Sequence, residues 1–457
     1  MSRIPFFKVL SLTALVASLA LAGTPAQADE IHVIDPETCA TRVMPVEEIT
    51  SETWAEVKYR TRARGPEQSV AARDVVKVVR KEPAREARLL DSAFGDLDRG
   101  NFRDAMTQFQ NIAGGGQKID AGTGAPTYTP FTESDPPGRR SRPVWTSEYA
   151  HIGYVMALFE LARAGSDAKL YDQVLMALED RPLPPVGEGK DKEKRSTGGF
   201  LARFDGGNSR WYPEAMRIHA HALLGTGDVD KAKAAFKALE DAAGQVPLDP
   251  KWLYEGMVGE GVILESQGKD ATSTFDRVAA TMLIRLEKET SPCTMRTYGQ
   301  LYSLARLRVA SAKLLQAEKV GGAAFASLRS YIESGEPATL QDKYASKLSE
   351  QALRALLAGA RMAEIQAVGL NGKGLAYLEE KRYEEAILAF KEVTVKHFAD
   401  RDQTARALYY LAKSADKAAE AADKRNQTSE RDRFKAQRDE AVRVLKSRYR
   451  STPWAQK

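Results

Sequence analysis

One short pattern returns along this chain and constrains its fold more than any other feature of the sequence. A glycine or polar turn is followed by an alanine, and an aromatic residue comes four positions after that alanine. The three copies contain Ala105 with Phe109, Ala232 with Phe236, and Ala386 with Phe390. Each copy predicts the second helix of a helical hairpin, and such a hairpin cannot bury its apolar face alone. Stacked hairpins, and thus a mainly helical fold, are therefore predicted.

The copies resemble the tetratricopeptide repeat (TPR), a helical hairpin of 34 residues with small side chains at positions 8 and 20 and large apolar ones at 4, 11 and 24. With Ala386 at position 20, the other four positions hold Leu370, Gly374, Tyr377 and Phe390. The resemblance implies a TPR-like α-solenoid whose grooves bind other proteins. A generic helical bundle is the alternative, because alanine and leucine at helical spacing occur in any helical core.

The end of the chain resembles exported bacterial members of this family, such as outer-membrane assembly lipoproteins and the periplasmic partner of the Tol-Pal system. With Ala441 at position 20, Pro453 falls on position 32, where the family often has proline. Residues 414–440 depart from the pattern because they are rich in Ala, Lys, Glu, Asp and Arg. They predict a charged helical extension with its turn at residues 426–428.

Four parts are predicted along the chain. They are a signal peptide at residues 1–28, a small β domain at 29–82, a degenerate TPR-like array at 83–365, and C-terminal TPR hairpins at 366–457 that carry the charged extension. Long loops rich in Gly and Pro interrupt the array at residues 114–143 and 182–200. We expect neither loop to contain helix or regular strand. A partner-binding arm and a flexible insertion are both open for them.

The first residues predict export. Arg3 and Lys8 accompany an apolar run at residues 9–22, which is shorter than the roughly 20 residues of a membrane span, and Ala26-Gln27-Ala28 forms a small-residue cleavage site. The cut is expected before Asp29, without a cysteine for a lipid anchor. We therefore expect a periplasmic or extracellular protein with no transmembrane segment after signal removal.

The β domain is predicted from a period of two. Apolar residues alternate with basic ones from Val57 to Arg64, as in a half-buried strand, and further β-rich runs surround them. The expected fold is a small antiparallel unit, for which an SH3-like barrel is one form. Its basic face at residues 58–64 suits an anion, although pairing with neighbouring carboxylates explains it equally well.

Charge and cysteine content limit the possible partners. The formal net charge is +5, and +3 once Arg3 and Lys8 leave with the signal, which is too balanced to argue for nucleic acid or an anionic membrane. The chain has two cysteines, Cys39 and Cys293. Export would allow a disulfide between them, but two free thiols remain the alternative.

The resemblance also implies which residues bind a partner, because the first helix of each repeat lines the concave groove in this family. The residues carried over to those positions are Phe94, Leu97, Arg217, His221, Asn371 and Leu375. Such a groove is mainly apolar and suits an amphipathic helix or an extended apolar peptide. Burial of the same residues by a neighbouring helix is the alternative.

Catalytic motifs are missing from the sequence. The five histidines include no pair at metalloprotease spacing, and neither a complete P-loop nor a nucleophile elbow is present. We therefore expect no enzyme, cofactor or metal. The predicted function is a protein–protein interaction scaffold of the bacterial cell envelope. Two alternatives are a cell-wall or polysaccharide-binding protein that uses the β domain, and an enzyme with an unrecognised site.

Overall fold

A computed structural model describes most of the chain. The described residues are 29–35, 37–81, 84–119, 126–129, 144–165, 167–186, 193–204, 207–245, 248–360, 363–450 and 452–457. The predicted signal peptide therefore lies outside them. Two compact units divide the chain: an N-terminal unit, Ala20–Ile263, and a C-terminal unit that includes Leu264–Lys457.

The fold class expected from the sequence is confirmed. Within the described residues the chain has 17 α-helices, and small antiparallel sheets precede them. The helices that begin in the N-terminal unit are α1 (Ala84–Asp98), α2 (Phe102–Ala113), α3 (Val144–Gly165), α4 (Ala168–Leu178), α5 (Phe200–Arg203), α6 (Tyr212–Thr226), α7 (Val229–Gln245) and α8 (Pro250–Ser266). Those that follow are α9 (Thr272–Lys288), α10 (Pro292–Val320), α11 (Ala323–Glu333), α12 (Pro337–Tyr344), α13 (Glu350–Gly359), α14 (Ala363–Glu379), α15 (Tyr383–Lys396), α16 (Arg401–Lys424) and α17 (Thr428–Arg448).

The β domain consists of two three-stranded antiparallel sheets. Its strands are β1 (Asp29–Ile34), β2 (Thr41–Val46), β3 (Glu48–Glu52), β4 (Glu56–Arg60), β5 (Gln68–Ala71) and β6 (Val75–Val79), in the orders β2-β1-β6 and β3-β4-β5. The alternation in β4 follows its burial, because Val57 and Tyr59 are 0% and 6% exposed. The strand ends at Arg60, before the end of the alternating run. Lys58 pairs with Glu56 at 3.3 Å, and Arg60 pairs with Glu48 at 3.2 Å.

The expectation that the two Gly- and Pro-rich stretches contain no regular strand is wrong. Each forms a two-stranded antiparallel hairpin, β7 (Gly116–Ile119) with β8 (Pro126–Thr129) and β9 (Pro182–Val186) with β10 (Glu193–Ser196). Both strands of such a hairpin are edge strands, and a proline on the unpaired side of an edge costs no hydrogen bond. The density of proline therefore did not exclude strands here.

The repeated alanines and phenylalanines form the centres of the helical packing. Ala105, Phe109, Ala232, Ala386 and Phe390 are all fully buried, and Phe236 is 2% exposed. A glycine faces each ring, because a Cβ on Gly153, Gly259 or Gly374 would lie 2.1–2.6 Å from the phenylalanine opposite. The small partner and the large ring together let neighbouring helices approach closely.

The charged segment of the C-terminal unit is a long antiparallel hairpin, α16 with α17. Its turn is at Arg425–Gln427, where Asn426 adopts a left-handed conformation with φ 58°. Phe434 of α17 packs with Ile387 of α15 and with alanines of α16. The predicted helical extension is thus two paired helices.

The described residues bear on the predictions for membrane-spanning segments and for the two cysteines. None of the described helices is long and apolar enough to cross a membrane. Neither cysteine is a free thiol: Cys39 is disulfide-bonded, and Cys293 is disulfide-bonded.

Candidate functional site

The residues that the TPR resemblance assigned to partner binding are packed against neighbouring helices. Leu97, Arg217, Asn371 and Leu375 are 9%, 5%, 0% and 6% exposed, and Phe94 and His221 are half-buried. The N-terminal unit contains Phe94, Leu97, Arg217 and His221, and the C-terminal unit contains Asn371 and Leu375. The structure does not gather them into one exposed surface.

Each polar member of this set has neighbours within its own unit. Arg217 Nη2 donates to Glu214 Oε1 at 2.6 Å, and its guanidinium lies 5.6 Å from the ring centre of Phe159. Asn371 Nδ2 donates to the backbone and side-chain oxygens of Gln403 at 3.1 and 2.9 Å. These contacts hold helices together instead of presenting groups to solvent.

The charged residues around Arg217 balance one another. Burial opposes ionisation of Glu214, but the charge and hydrogen bond of Arg217 lower its pKa. Burial raises the pKa of Glu160, although Arg163 and Arg217 act in the opposite sense. The acids in this part of the N-terminal unit are thus paired with its bases, Glu160 with Arg163 and Glu214 with Arg217.

An open groove lies on the other side of α6, and sequence reasoning did not find it. It encloses about 310 Å³ between α5, α6 and α7. Its lining residues are Leu201 from α5, Tyr212, Met216, His219 and Leu223 from α6, and Lys231, Ala234, Ala235 and Ala238 from α7. We call this the α6–α7 groove. The four α6 residues recur at helical spacing and extend over about 16 Å of the helix.

The two walls of the groove differ in kind. Large side chains of α6 form one wall, and alanines of α7 form the other, so the groove has room for a partner side chain beside each alanine. Ala234 and Ala238 are exposed, one helical turn apart. The lining is mostly apolar, with His219 and Lys231 as its polar members. This arrangement suits an apolar surface with a few hydrogen-bonding groups at its edge.

A polar chain holds one rim of the groove. His219 Nε2 donates to Glu179 Oε1 at 2.7 Å, and Arg181 Nε donates to Glu179 Oε2 at 2.7 Å. Arg181 Nη1 also donates to Asp172 Oδ1 at 2.9 Å. The hydrogen bond from His219 is the main reason that the pKa of Glu179 falls to about 2, with Arg181 adding to it. Glu179 is thus ionised at neutral pH and fixes the His219 ring.

The same glutamate anchors the β9–β10 hairpin at this rim. Thr197 Oγ1 donates to the Glu179 carbonyl oxygen at 2.6 Å, and Thr197 N donates to the Arg181 carbonyl oxygen at 2.9 Å. A Cβ on Gly199 would lie 2.2 Å from the Glu179 carbonyl carbon, so only glycine fits there. α5, which brings Leu201 to the groove, follows immediately. The segment expected to be a long loop therefore positions α5, which supplies part of the groove wall.

The β domain contacts the N-terminal end of α6. Trp54 packs edge-on against Tyr212 with 5.7 Å between ring centres, and the backbone N–H of Trp54 donates to the Gly207 carbonyl oxygen at 3.1 Å. Glu52 lies beside it in a buried network. Its carboxylate accepts hydrogen bonds from Arg80 Nη2 at 2.7 Å and from the Tyr149 hydroxyl at 2.6 Å.

Glu148 completes this buried network. It accepts a hydrogen bond from Ser209 Oγ at 2.5 Å. Burial raises the pKa of Glu148 to about 8, and the nearby Glu52 carboxylate acts in the same direction. The carboxyl is therefore mostly protonated at neutral pH. No local sequence signal marks this network, because its members come from distant parts of the chain.

The described residues hold no cluster of three or more His, Cys, Asp or Glu side chains positioned for a metal ion. A search of protein-family models and of curated proteins finds no match to this chain. The class of protein thus rests on the structure itself. It is a predominantly helical protein of packed hairpins, compatible with a helical-repeat solenoid, with antiparallel sheets at its N-terminal end.

Proposed function

We propose that this protein is a TPR-type scaffold of the bacterial cell envelope that binds partner proteins through the α6–α7 groove. The observation that carries this proposal is the groove itself, with about 310 Å³ of open space and a mostly apolar lining. Its partner is the apolar face of a helix or an extended apolar peptide.

The dimensions of the groove support this kind of partner. A length of about 16 Å along α6 corresponds to three helical turns, and the apolar anchors of helix-in-groove recognition, at i, i+3 or i+4 and i+7, span about two turns and fit within it. The volume lies at the lower end of the range of about 300–1,000 Å³ for binding pockets. Two or three partner side chains are therefore enough to fill it.

The TPR assignment is supported by the packing of its signature residues. In all three copies the position-20 alanine and the position-24 phenylalanine are buried, and a glycine contacts the phenylalanine. The envelope location is proposed from the export pattern of residues 1–28. With Ala105 at position 20, position 11 holds Asp96 where the family has a large apolar residue, and such a departure suits a degenerate array with its own binding surface.

The proposal is tested by filling the groove. Ala238→Trp places a large ring in its lining, and Lys233→Trp on the same helix is the matched control because Lys233 is exposed and does not line the groove. Both variants are expressed in the source cells, and crosslinked partners from intact envelopes are quantified by mass spectrometry. We expect Ala238→Trp to reduce capture of the partner by about tenfold or more, since filling a hot-spot pocket costs over 1.4 kcal/mol.

Two results would count against the proposal. One is that no partner is recovered reproducibly with the unmodified protein. The other is that Ala238→Trp captures the same partners at the same level as Lys233→Trp.

The alternative function, recognition of cell wall by the β domain, has weaker support. Lys58 and Arg60 of the basic strand already pair with Glu56 and Glu48. Sedimentation of the full chain with purified cell wall separates the two functions. If the β domain binds cell wall, the chain sediments with it, and Ala238→Trp sediments to the same extent because the groove takes no part in that binding.

A further inference from the structure

Positive charge is concentrated in the α16–α17 hairpin. Residues 413–448 contain eleven Lys and Arg against seven Asp and Glu, a net charge of +4, while the whole chain carries +5. A balanced composition for the whole molecule thus conceals one strongly basic element.

The acids of this hairpin are all engaged. Each of the seven lies within 4 Å of a lysine or arginine of the same hairpin. The pairs are Asp416 and Asp439 with Arg438, Asp423 and Asp432 with Arg431, Glu420 with Lys417, Glu430 with Arg425, and Glu440 with Arg443. Lys413, Lys424, Lys435 and Lys446 are different. In the described part of the chain no carboxylate lies within 4 Å of any of these four, and all are exposed.

The four lysines are regularly spaced. They occur every eleven residues, which is close to three helical turns, so the two lysines of each helix share a face about 16 Å apart. Arg438 pairs with Asp416 at 3.0 Å and Arg431 with Asp423 at 3.1 Å, and both pairs define the same antiparallel register. In that register, lysines from the two helices alternate along the hairpin at steps of about 8 Å.

The lysines also lie on one side of the hairpin. On α16, Lys413 and Lys424 lie opposite the alanines that pack on Ile387 of α15. On α17, Arg433 reaches towards Glu384 of α15 at 3.8 Å, whereas Lys435 and Lys446 lie on the opposite flank, next to the seam of Arg–Asp pairs with α16. The result is a basic surface that faces away from α15, and we call it the lysine ladder.

We propose that the lysine ladder binds the surface of an anionic lipid bilayer. Lysine is a flexible point charge that suits many headgroups, whereas specific recognition of a single phosphate or carboxylate favours the arginine fork. Clusters of four or more basic residues on a helical face are typical of binding to anionic lipids. The seam of Arg–Asp pairs between the two rows holds two arginines and four aspartates, so the four lysines give this face a net charge of +2. The interaction is peripheral and is weakened by salt.

Vesicle sedimentation tests this proposal with the full chain. The probes are vesicles of phosphatidylcholine, alone or with about a third phosphatidylglycerol, at low and high salt. We expect binding to the anionic vesicles only, and loss of that binding at high salt. Replacing all four ladder lysines by glutamine should weaken it by several hundredfold, since each lysine near an anionic surface contributes about fivefold.

A second quadruple variant controls for net charge. Lys233, Lys269, Lys343 and Lys347 are exposed lysines elsewhere in the chain, and their replacement by glutamine removes the same total charge. We expect this variant to bind like the unmodified protein, with circular dichroism confirming that both variants are folded. The proposal is overturned if the unmodified chain ignores anionic vesicles or if both variants lose binding equally. Tighter binding to poly-glutamate than to the vesicles would also overturn it, in favour of an acidic protein partner.

Discussion

Glu148 illustrates how the position of a single residue changes its chemistry. Its carboxyl lies in the buried network between the β domain and α3, where desolvation disfavours the charged form and raises its pKa to about 8. In the unfolded chain the same group ionises near 4.5. Folding therefore takes up a proton at pH values between these two limits.

This difference predicts how stability depends on pH. Because the folded state binds more protons, the contribution of Glu148 to stability is complete below about pH 4.5 and is lost as the pH rises through about 8. Glu148→Gln keeps an acceptor for Ser209 but cannot ionise. We expect this variant to unfold near the normal temperature at pH 5 and to be more stable than the unmodified protein at pH 9, by up to a few kcal/mol.

Thermal unfolding monitored by circular dichroism at pH 5, 7 and 9 measures the effect. Glu48→Gln is the control, because the Glu48 side chain is 55% exposed on the β domain surface. Parallel stability profiles for Glu148→Gln and the unmodified protein would show that Glu148 does not take up the proton.

At the scale of elements, close approach between helices depends on glycine–phenylalanine pairs. Gly259 of α8 faces Phe236 of α7, the aromatic residue of the second repeat copy, and a Cβ at Gly259 would lie 2.1 Å from the ring carbon Cγ. The ring is 2% exposed and lies in the packed interior of the N-terminal unit. Adding one methyl group must therefore separate α7 from α8 or distort the side chain.

Gly259→Ala is accordingly predicted to destabilise the protein by about 1–3 kcal/mol. Gly244→Ala is the matched control: Gly244 is in α7, nothing lies within 4 Å of its added Cβ, and alanine favours the helix by about 0.5–1 kcal/mol. Urea unfolding curves of the two variants distinguish the cases. An unchanged or raised midpoint for Gly259→Ala would contradict the packing role of this contact.

The sequence predicted some elements well and others poorly, for physical reasons. The hairpins around Ala232 and Ala386 were predictable because small and aromatic residues at fixed spacing report local packing. The strands β7–β10 were missed because Gly and Pro were taken as signs of irregular structure. The α6–α7 groove was missed because residue spacing predicts that α6 and α7 pair but not where the pair leaves a gap, and because tertiary contacts bring α5 to its wall.

At the scale of the whole molecule, the uneven placement of charge matters more than its sum. The formal charge of +5 gave no reason to expect an anionic partner, yet +4 of it lies in residues 413–448. The proposed groove is in the N-terminal unit and the lysine ladder is in the C-terminal unit. The two proposals therefore concern different residues and are tested with separate variants.

The export proposal leads to a prediction for the whole chain. Asp29, the first residue after the expected cut, starts β1, and its carboxylate accepts a hydrogen bond from Lys81 N at 3.0 Å. Cleavage before Asp29 therefore leaves the β domain complete. We expect the intact mass of the protein recovered from an osmotic-shock fraction to match residues 29–457. Recovery of the chain with residues 1–28 attached, in the cytoplasmic fraction, would contradict export.

Local features of this protein were determined by its sequence alone. Helical hairpins follow from the period of small and aromatic residues, the strand β4 from its alternation, and the turn near Asn426 from the polar break between two helical runs, because each depends on residues close in the chain. The burial of Arg217 and Asn371, the protonation of Glu148 and the space beside Ala238 were decided by the tertiary structure. Each depends on which distant side chains exclude water or leave a gap at that point, and residue spacing does not carry that information.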